Sequence, residues 1–371
     1  MTAATVGQWG PSDCKECSVP TISAAPGLLA LGWDDGWATA LAALCDPTLV
    51  PARVSRVDRG RCTAMTGIAE LRIAAERGVE LAVGDWLGVG PGPATGGGVR
   101  IAAVLPRRRV LRREVGAMGA APPQIVAANV DTVLLCDALD GSLSPRHLER
   151  FLALVWQSGA TPVVLVTKSD AVPAAVVADA VDAVKAVADG VSVLVVSSTT
   201  GEGMDDVAPY LAPGRTVALL GLSGAGKSTL ANLLAGAEIL ATGAVRKDGS
   251  GRHTTSHREL VQLPGGGLLI DTPGMRALSV VGAGDGVERV FHDVEVLAQS
   301  CKYTNCSHAG EQGCALAAAL SDGRLERGRL ESWLRLRAEP ASSQLEVARR
   351  DVAKRKQRKA AKIAGRRAAR T

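Results

Sequence analysis

The sequence predicts an α/β protein in which a parallel-sheet domain lies between a small β-barrel and a C-terminal helical module. Three observations lead to this prediction. Short strands crowd residues 46–115, apolar strands alternate with helices over 120–283, and a cysteine/histidine cluster follows within the helical stretch 284–340. A chain of 371 residues also exceeds what one hydrophobic core usually serves, which favours several domains.

The composition excludes two broad classes of protein. With 47% hydrophobic and 21% charged residues the chain can bury sizeable cores, which excludes a wholly disordered protein. No apolar run approaches the roughly 18 residues that span a bilayer, and residues 1–18 lack the basic and apolar segments of a secretory signal. We therefore expect a cytoplasmic protein with no membrane partner and with its eight cysteines reduced.

Residues 1–45 are predicted to be an N-terminal extension with one short helix. The first 27 or so residues show no periodicity, whereas residues 28–44 resemble a helix that places Trp33 and Trp37 on one face. Cys14 and Cys17 form a lone pair in the extension, and we do not expect them to bind a metal.

Residues 46–115 predict a barrel of the OB type. About five short strands fall within some 60 residues, separated by tight turns and one Gly/Pro-rich loop. Arginines crowd the end of this region, and nucleic-acid contact is favoured over a solvated linker because OB barrels often bind nucleic acid. These arginines are Arg107, Arg108, Arg109, Arg112 and Arg113.

Residues 120–283 contain a phosphate-binding motif within the α/β pattern. The segment Gly221–Thr229 matches G-x-x-x-x-G-K-[ST] and lies between an apolar strand and a helix, where glycine-rich backbone N–H groups can surround phosphate oxygens. Lys227 should reach the β- and γ-phosphates, and the Ser228 hydroxyl should bind Mg²⁺. The predicted phosphate-site residues are Gly221, Leu222, Ser223, Gly224, Ala225, Gly226, Lys227, Ser228 and Thr229.

Two further segments complete this predicted phosphate site. Asp271 follows an apolar strand and can hold Mg²⁺ through water, while the Gly274 amide can contact the γ-phosphate. In the polar loop 251–258, Thr254 or Thr255 could close on Mg²⁺, and we select Thr255.

A second motif indicates which base is bound. Thr167, Lys168, Ser169 and Asp170 follow an apolar strand, and an Asp carboxylate can accept both the N1–H and the N2–H of guanine, a donor pair that adenine lacks. Lys168 would lie along the base plane. Ser197 and Ser198, at the end of the next strand, could offer a backbone N–H to guanine O6. The expected ligand is therefore GTP or GDP, with Mg²⁺.

The C-terminal region contains a predicted metal site and a basic tail. Cys301, Cys306, His308 and Cys314 supply four ligands within 14 residues, enough to close one structural Zn²⁺ site. Residues 341–371 form the tail, in which 349–370 carry eleven Lys/Arg and one acid, a net +10 that leaves −5 for the rest of a chain of total charge +5. Binding to an RNA backbone is favoured over a solubility role.

The order of the motifs resembles that of a known family. The base motifs TKSD and SS precede the phosphate motifs GLSGAGKST, GRHTTSHREL and DTPG, an order that corresponds to a circularly permuted P-loop GTPase. With the barrel and the Cys/His cluster, the chain resembles the ribosome small-subunit-dependent GTPase A (RsgA) family over about residues 30–330. Further matches are VGDW at 83–86 and AANVD at 127–131.

The resemblance implies a GTP hydrolase that acts in late maturation of the small (30S) ribosomal subunit, binds its rRNA and is stimulated by the subunit. It also implies zinc at the four matching ligands, and we expect a monomer. Thr167 stands where the family normally has Asn, and guanine selectivity should survive through Asp170. Met275 stands where many GTPases carry a water-positioning Gln, so intrinsic hydrolysis should be slow.

The candidate catalytic residues are His253, Lys227 and Thr255. Because Met275 cannot orient water, His253 is the candidate that holds the attacking water in line with the γ-phosphate, the other interpretation being a simple loop residue. The alternative function is a nucleotide-gated RNA-binding module with vestigial hydrolysis. A P-loop ATPase is a more distant alternative.

Overall fold

The computed structural model of the protein describes residues 25–75, 78–92, 98–115, 121–139, 145–239, 259–271 and 285–338. These residues form two short N-terminal helices, one continuous sheet with an antiparallel part and a mainly parallel part flanked by helices, a separate two-stranded sheet, and a final group of helices. No helix among them is long and apolar enough to cross a membrane.

The N-terminal region forms two helices, α1 (Pro26–Ala30) and α2 (Asp35–Ala42), so the prediction of a single helix over 28–44 is wrong. Gly32 turns the chain with a φ of +81°, and the Asp34 side chain accepts a hydrogen bond from the Trp37 amide (3.0 Å), which starts a new helix. Trp33 lies in the turn between the helices. Both Trp33 and Trp37 are nevertheless buried against Trp86, with ring centroids 4.7 and 6.3 Å from it.

Five antiparallel strands follow the helices: β1 (Val50–Asp58), β2 (Arg61–Met65), β3 (Glu70–Ala74), β4 (Trp86–Pro91) and β5 (Val99–Val104). Their order across the sheet is β3-β2-β1-β4-β5. The two outer strands, β3 and β5, approach within 8 Å between Cα atoms. Small and branched side chains such as Ala52, Val54 and Ile73 fill the space that the strands enclose.

A short two-stranded sheet joins this region to the next. It pairs β6 (Val110–Val115) with β7 (Ala121–Ala128). Residues 110–115 therefore pair with β7, although the sequence places them at the end of the predicted barrel.

The central sheet has the parallel order β10-β9-β8-β11-β13. Its strands are β8 (Thr132–Ala138), β9 (Thr161–Thr167), β10 (Ser192–Val196), β11 (Thr216–Leu220) and β13 (Leu268–Asp271), with β12 (Glu259–Gln262) antiparallel to β13. Helices α3 (Pro145–Ser158), α4 (Ala174–Val187), α5 (Met204–Val207) and α6 (Lys227–Ala235) belong to this region. Strand order reverses around β8, and such a point is where open α/β sheets bind ligands.

The final helices are α7 (Asp285–Val290), α8 (His292–Gln299), α9 (Ala315–Ser321) and a helix over residues 327–338. A partly buried ion-pair network attaches them to α3. Arg329 contacts Glu149 of α3 at 2.9 Å and Asp293 of α8 at 2.7 Å. Burial raises the pKa of the Glu149 carboxyl, and the neighbouring Arg329 acts in the opposite direction.

A buried arginine connects three parts of the molecule. Arg53 of β1 is 2% exposed; it donates to the Thr216 hydroxyl (2.8 Å), to the Asn129 carbonyl (3.3 Å) and to the Leu31 carbonyl. Burial lowers the pKa of its guanidinium to about 10, which leaves it charged at neutral pH. Arg53 is therefore a single cation that links the N-terminal helices, the antiparallel sheet and the central sheet.

Three of the arginines that the sequence assigns to nucleic-acid contact form ion pairs with carboxylates of the same chain. Arg107 binds the fully buried Asp85 through two hydrogen bonds of 2.7 and 2.8 Å. Arg108 forms a similar double contact with Asp34, and Arg109 lies 2.7 Å from Asp131. These pairs fix the joint between the antiparallel sheet, the N-terminal helices and the central sheet.

Candidate functional site

The predicted phosphate loop lies between β11 and α6, as the sequence indicates. Gly221, Gly224 and Gly226 have φ angles of +150°, +84° and +77°, which side-chain-bearing residues rarely adopt. A Cβ atom at Gly221 would lie 2.1 Å from the Cys136 carbonyl oxygen of β8, so glycine is also required for close packing there. The loop leads directly into the N-terminus of α6, whose free N–H groups favour an anion.

Lys227, the first residue of α6, folds back over this loop. Its ammonium group donates to the carbonyls of Gly221 (2.9 Å) and Leu222 (2.5 Å). The cation is therefore already located at the loop where phosphate oxygens would bind. Ser228 is half-buried and Thr229 is exposed in the same first turn.

The predicted base-reading segment begins at the end of β9, and Thr167 connects it to the phosphate loop. The Thr167 hydroxyl lies 3.1 Å from the Ala225 carbonyl oxygen and 3.3 Å from that of Asp137, and it can donate to either. This side chain is 2% exposed. The Thr167 hydroxyl thus connects β9 to the phosphate loop. It does so at the position where an Asn side-chain amide is expected.

Asp170 is exposed and is oriented by Ser197. The Ser197 hydroxyl donates to Asp170 Oδ1 at 2.6 Å, and its oxygen accepts from the amides of Thr199 (3.2 Å) and Thr200 (3.1 Å). Because those two amides fix the hydroxyl as a donor, Ser197 orients the Asp170 carboxylate through Oδ1. Lys168 precedes it with a φ of +63°, and Ser198 is half-buried beside Ser197.

Glu202 contacts both segments that are predicted to bind the base, and sequence reasoning did not single it out. Its carboxylate accepts from the Ser169 hydroxyl (3.3 Å), and its carbonyl accepts from the Ser197 amide (3.0 Å). It therefore joins the segment after β9 to the segment after β10. A lone acidic residue in a turn gives no sequence signal for such a role.

Asp271 is the last residue of β13, which runs parallel to β11. The strand end that carries Asp271 therefore lies on the same edge of the sheet as the phosphate loop. His253, Thr254, Thr255, Gly274 and Met275 lie outside the described residues, as do Cys14, Cys17 and the tail over 341–371.

The four predicted metal ligands come together. One ligand atom from each of Cys301, Cys306, His308 and Cys314 lies within 4.8 Å of the others. His308 Nδ1 is 3.6 Å from the Cys301 sulfur and 3.8 Å from the Cys314 sulfur. Thiolates about 2.3 Å from a tetrahedral zinc are separated by about 3.8 Å, so this donor set fits a closed four-coordinate metal.

Glu311 organises the turn that carries two of these ligands. Its carboxylate accepts from the amides of Ser307 (2.8 Å) and Ala309 (2.9 Å) and from the Ser307 hydroxyl. The hydrogen bond from the Ser307 side chain and those from the backbone lower the pKa of Glu311 to about 2. The ionised Glu311 carboxylate therefore binds the residues on both sides of His308, Ser307 and Ala309.

Comparison with known proteins shows which family carries this arrangement. A sequence model of the family described as RsgA GTPase matches residues 104–281. A protein of Streptomyces coelicolor named small ribosomal subunit biogenesis GTPase RsgA is 44% identical over 84% of this chain and 86% of its own length. The chain belongs to the RsgA GTPase family. A relative of the same name from Opitutus terrae is 42% identical over 85% of this chain and 90% of its own length.

Solved structures agree on the fold. YjeQ from Thermotoga maritima matches with a TM-score of 0.56 at 22% identity, over 79% of this chain and 99% of that one. YloQ, described as a circularly permuted GTPase, matches with a TM-score of 0.55 over 79% and 95% of the two chains. As a member of the RsgA GTPase family, the protein is a GTP-hydrolysing enzyme that uses GTP with Mg²⁺, and the permuted motif order is confirmed at the level of the fold.

Proposed function

We propose that this GTPase acts in late maturation of the small ribosomal subunit, binds the subunit's rRNA and is stimulated by the subunit. The observation that carries the GTPase part of the proposal is the junction of the phosphate loop with the predicted base-reading segment, where the Thr167 hydroxyl lies 3.1 Å from the Ala225 carbonyl oxygen. The relatives named as small ribosomal subunit biogenesis GTPases support the choice of partner.

Each part of the nucleotide has a proposed partner. Residues 221–229 hold the phosphates, and Lys227 exchanges its loop carbonyls for β- and γ-phosphate oxygens when nucleotide binds. Asp170, oriented by Ser197, reads guanine, while Lys168 lies along the base and Ser198 offers its amide to O6. Ser228 and Thr255 would hold Mg²⁺, with Asp271 contacting it through water, and the ion would neutralise charge on the phosphates.

Hydrolysis requires residues beyond the phosphate loop. We assign His253 to hold the attacking water and the Gly274 amide to the γ-phosphate. We propose that contact with the subunit brings both to the γ-phosphate, as partners commonly position switch segments. This accounts for slow GTP hydrolysis by the isolated protein and faster hydrolysis on the subunit.

The regions on either side of the GTPase domain are assigned to RNA binding. We propose that β1–β5 form an OB-type barrel, a fold that often binds oligonucleotides, and that the tail with its eleven cations binds rRNA backbone. We propose zinc as the metal of the Cys301, Cys306, His308 and Cys314 cluster because three thiolates and one imidazole are preferred zinc ligands. The protein would work as a cytoplasmic monomer.

The deciding experiment is multiple-turnover phosphate release from GTP with and without purified small ribosomal subunits. We expect slow release alone and a large increase with the subunits. Binding to subunits without any increase in turnover would instead support a nucleotide-gated RNA-binding module. Competition of labelled GTP by excess ATP would support the more distant ATPase alternative.

A further inference from the structure

Helix α4 exposes more apolar surface than a surface helix normally does. Eleven of its 14 residues are Ala or Val, and Val184 is the one residue of the helix that the described residues bury fully. Helix α3, of the same length, buries seven residues. Helices at a protein surface normally carry polar side chains on the outer face, because exposed apolar area is unfavourable in water. The outer face of α4 therefore indicates a partner beyond the described residues.

A groove of about 560 Å³ lies between this helix and β10, the outermost strand of the parallel sheet. Partly buried valines line it, Val177 and Val181 from α4 and Val195 from β10. The carboxylates of Asp182 and Glu202 also belong to its lining, in which none of the described residues is basic. The groove therefore fits a segment that presents apolar and basic side chains together.

The part of the chain that forms this groove is acidic. Residues 168–211, which include α4 and β10, carry seven acidic residues and two lysines, a net −5. This equals the net charge of the whole chain outside residues 349–370. The excess negative charge of the chain is thus concentrated around the groove, and the excess positive charge is concentrated in the tail. Charges of this kind attract each other over about 10 Å at 0.1 M salt.

The basic tail starts close enough to reach the groove. The helix over residues 327–338, which precedes the tail, is attached to α3 by the pair Arg329–Glu149 (2.9 Å), and α3 packs against α4. Two helix-to-helix spacings amount to about 20 Å. Residues 339–348 can span about 33 Å when extended. The cations that follow them therefore lie within reach of α4.

We propose that the α4–β10 groove binds this chain's own basic tail when the protein is free of RNA, and that RNA competes for the same cations. The tail carries both kinds of side chain that the groove accepts, since small apolar residues alternate with its eleven cations. These apolar residues are Val352, Ala353, Ala360, Ala361, Ile363 and Ala364. They would cover the valines of the groove while lysines or arginines pair with Asp182 and Glu202.

RNA would reverse this contact because its backbone presents a denser row of negative charge than the groove does. Ser169 also lines the groove, so the docked tail lies beside the segment predicted to bind the base. The docking itself does not depend on the proposed role in ribosome maturation. Its reversal by RNA rests on the proposed binding of the tail to RNA, and the experiment separates the two.

The test is cross-linking of the full chain with a carbodiimide, which joins a carboxylate to a lysine only when the two are in contact. The tail offers four lysines, Lys354, Lys356, Lys359 and Lys362. Unlabelled and ¹⁵N-labelled chains are mixed in equal amounts, so that mass spectrometry separates links within one chain from links between two chains. We expect links within one chain from tail lysines to Asp182 and Glu202, which become fewer as sodium chloride is added.

Asp182→Lys reverses one charge of the groove at an exposed helix position, where lysine is a good helix former. Glu202 then reports whether the tail is docked. We expect its links to the tail to fall about 3-fold, because a like-charge contact replaces an ion pair. Asp189→Lys is the matched control, since it makes the same change of net charge at an exposed residue just after α4 and outside the groove lining. It should leave the links at Glu202 unchanged.

Three results would overturn the docking of the tail. The first is the absence of links between tail lysines and Asp182 or Glu202. The second is a set of links that join labelled to unlabelled chains, which would assign the groove to a second copy. The third is an equal effect of Asp182→Lys and Asp189→Lys, which would indicate an unspecific attraction between the tail and the acidic part of the chain.

An oligoadenylate with hydroxyl ends tests the competition by RNA. Fluorescence anisotropy measures its binding to the protein, and we expect the links between tail and groove to disappear as the RNA binds. Links that persist while RNA is bound would overturn the competition and, with it, the assignment of the tail to RNA binding.

Discussion

Asp170→Asn should change which purine nucleotide the GTPase prefers. The Ser197 hydroxyl is fixed as a donor by the amides of Thr199 and Thr200, so in the variant it holds the amide oxygen and turns the new NH₂ group towards the base. That NH₂ group repels the N1–H and N2–H of guanine. It can donate to the carbonyl at position 2 of xanthine.

The expected size of the change follows from the two hydrogen bonds lost. A hydrogen bond to a charged group contributes about 1.5–3 kcal/mol, so two of them amount to about 3–6 kcal/mol. GTP should therefore bind roughly 10²- to 10⁴-fold more weakly. Displacement of a fluorescent nucleotide by GTP and by XTP measures both affinities in the variant and in the unchanged chain.

Asp182→Asn is the matched control, because it removes an exposed carboxylate of α4 that lines the groove next to Ser169. It should leave the preference for GTP over XTP as it is. If Asp170→Asn retains the original preference while folding normally, Asp170 does not read the base. Ser197→Ala should give an intermediate loss, since the carboxylate keeps its charge and loses only its orientation.

Four further variants, at three positions, test the rest of the site. Cys306→Ala should release the metal and loosen residues 285–338 while leaving nucleotide affinity largely unchanged, because a closed site stabilises its own module; metal analysis and limited proteolysis measure this. Thr167→Val should weaken GDP binding about 2- to 10-fold through the lost hydroxyl, and Thr167→Asn should restore it, as measured by fluorescent-nucleotide titration. His253→Ala should leave the GTP affinity and the slow turnover of the isolated protein unchanged. It should remove most of the stimulation by small subunits in a phosphate-release assay.

Each of these predictions has a result that contradicts it. The metal prediction fails if the unchanged chain, purified without chelators, contains no zinc. Tight GDP binding by Thr167→Val would show that the hydroxyl does not shape the site. Full stimulation of a His253→Ala variant that still binds the subunit would exclude His253 as the group that holds water.

Local motifs could be predicted from the sequence because their residues are adjacent in the chain. The phosphate loop needs a strand, glycines and a helix start within about 14 residues, and all lie between Thr216 and Thr229. The metal cluster is equally compact. The turn at Gly32 was missed, although a glycine followed by Trp33 and Asp34 contains both the break and the cap of a new helix.

Long-range pairing could not be predicted in the same way. Arg107, Arg108 and Arg109 are chemically identical neighbours, yet they bind Asp85, Asp34 and Asp131 from three different segments. Only the three-dimensional arrangement decides which arginine meets which carboxylate. A run of basic residues therefore indicates nucleic-acid contact from sequence alone, and here the same charges hold the molecule together.

The contacts of Arg53 with distant parts of the chain affect how the protein folds while it is being synthesised. Its hydroxyl partner, Thr216, lies 163 residues further along the chain, which corresponds to about 8–30 s of translation. During that interval the guanidinium must stay hydrated, because burying a cation before its partners exist is unfavourable. The N-terminal half of the nascent chain therefore cannot reach its final packing until β11 has left the ribosome.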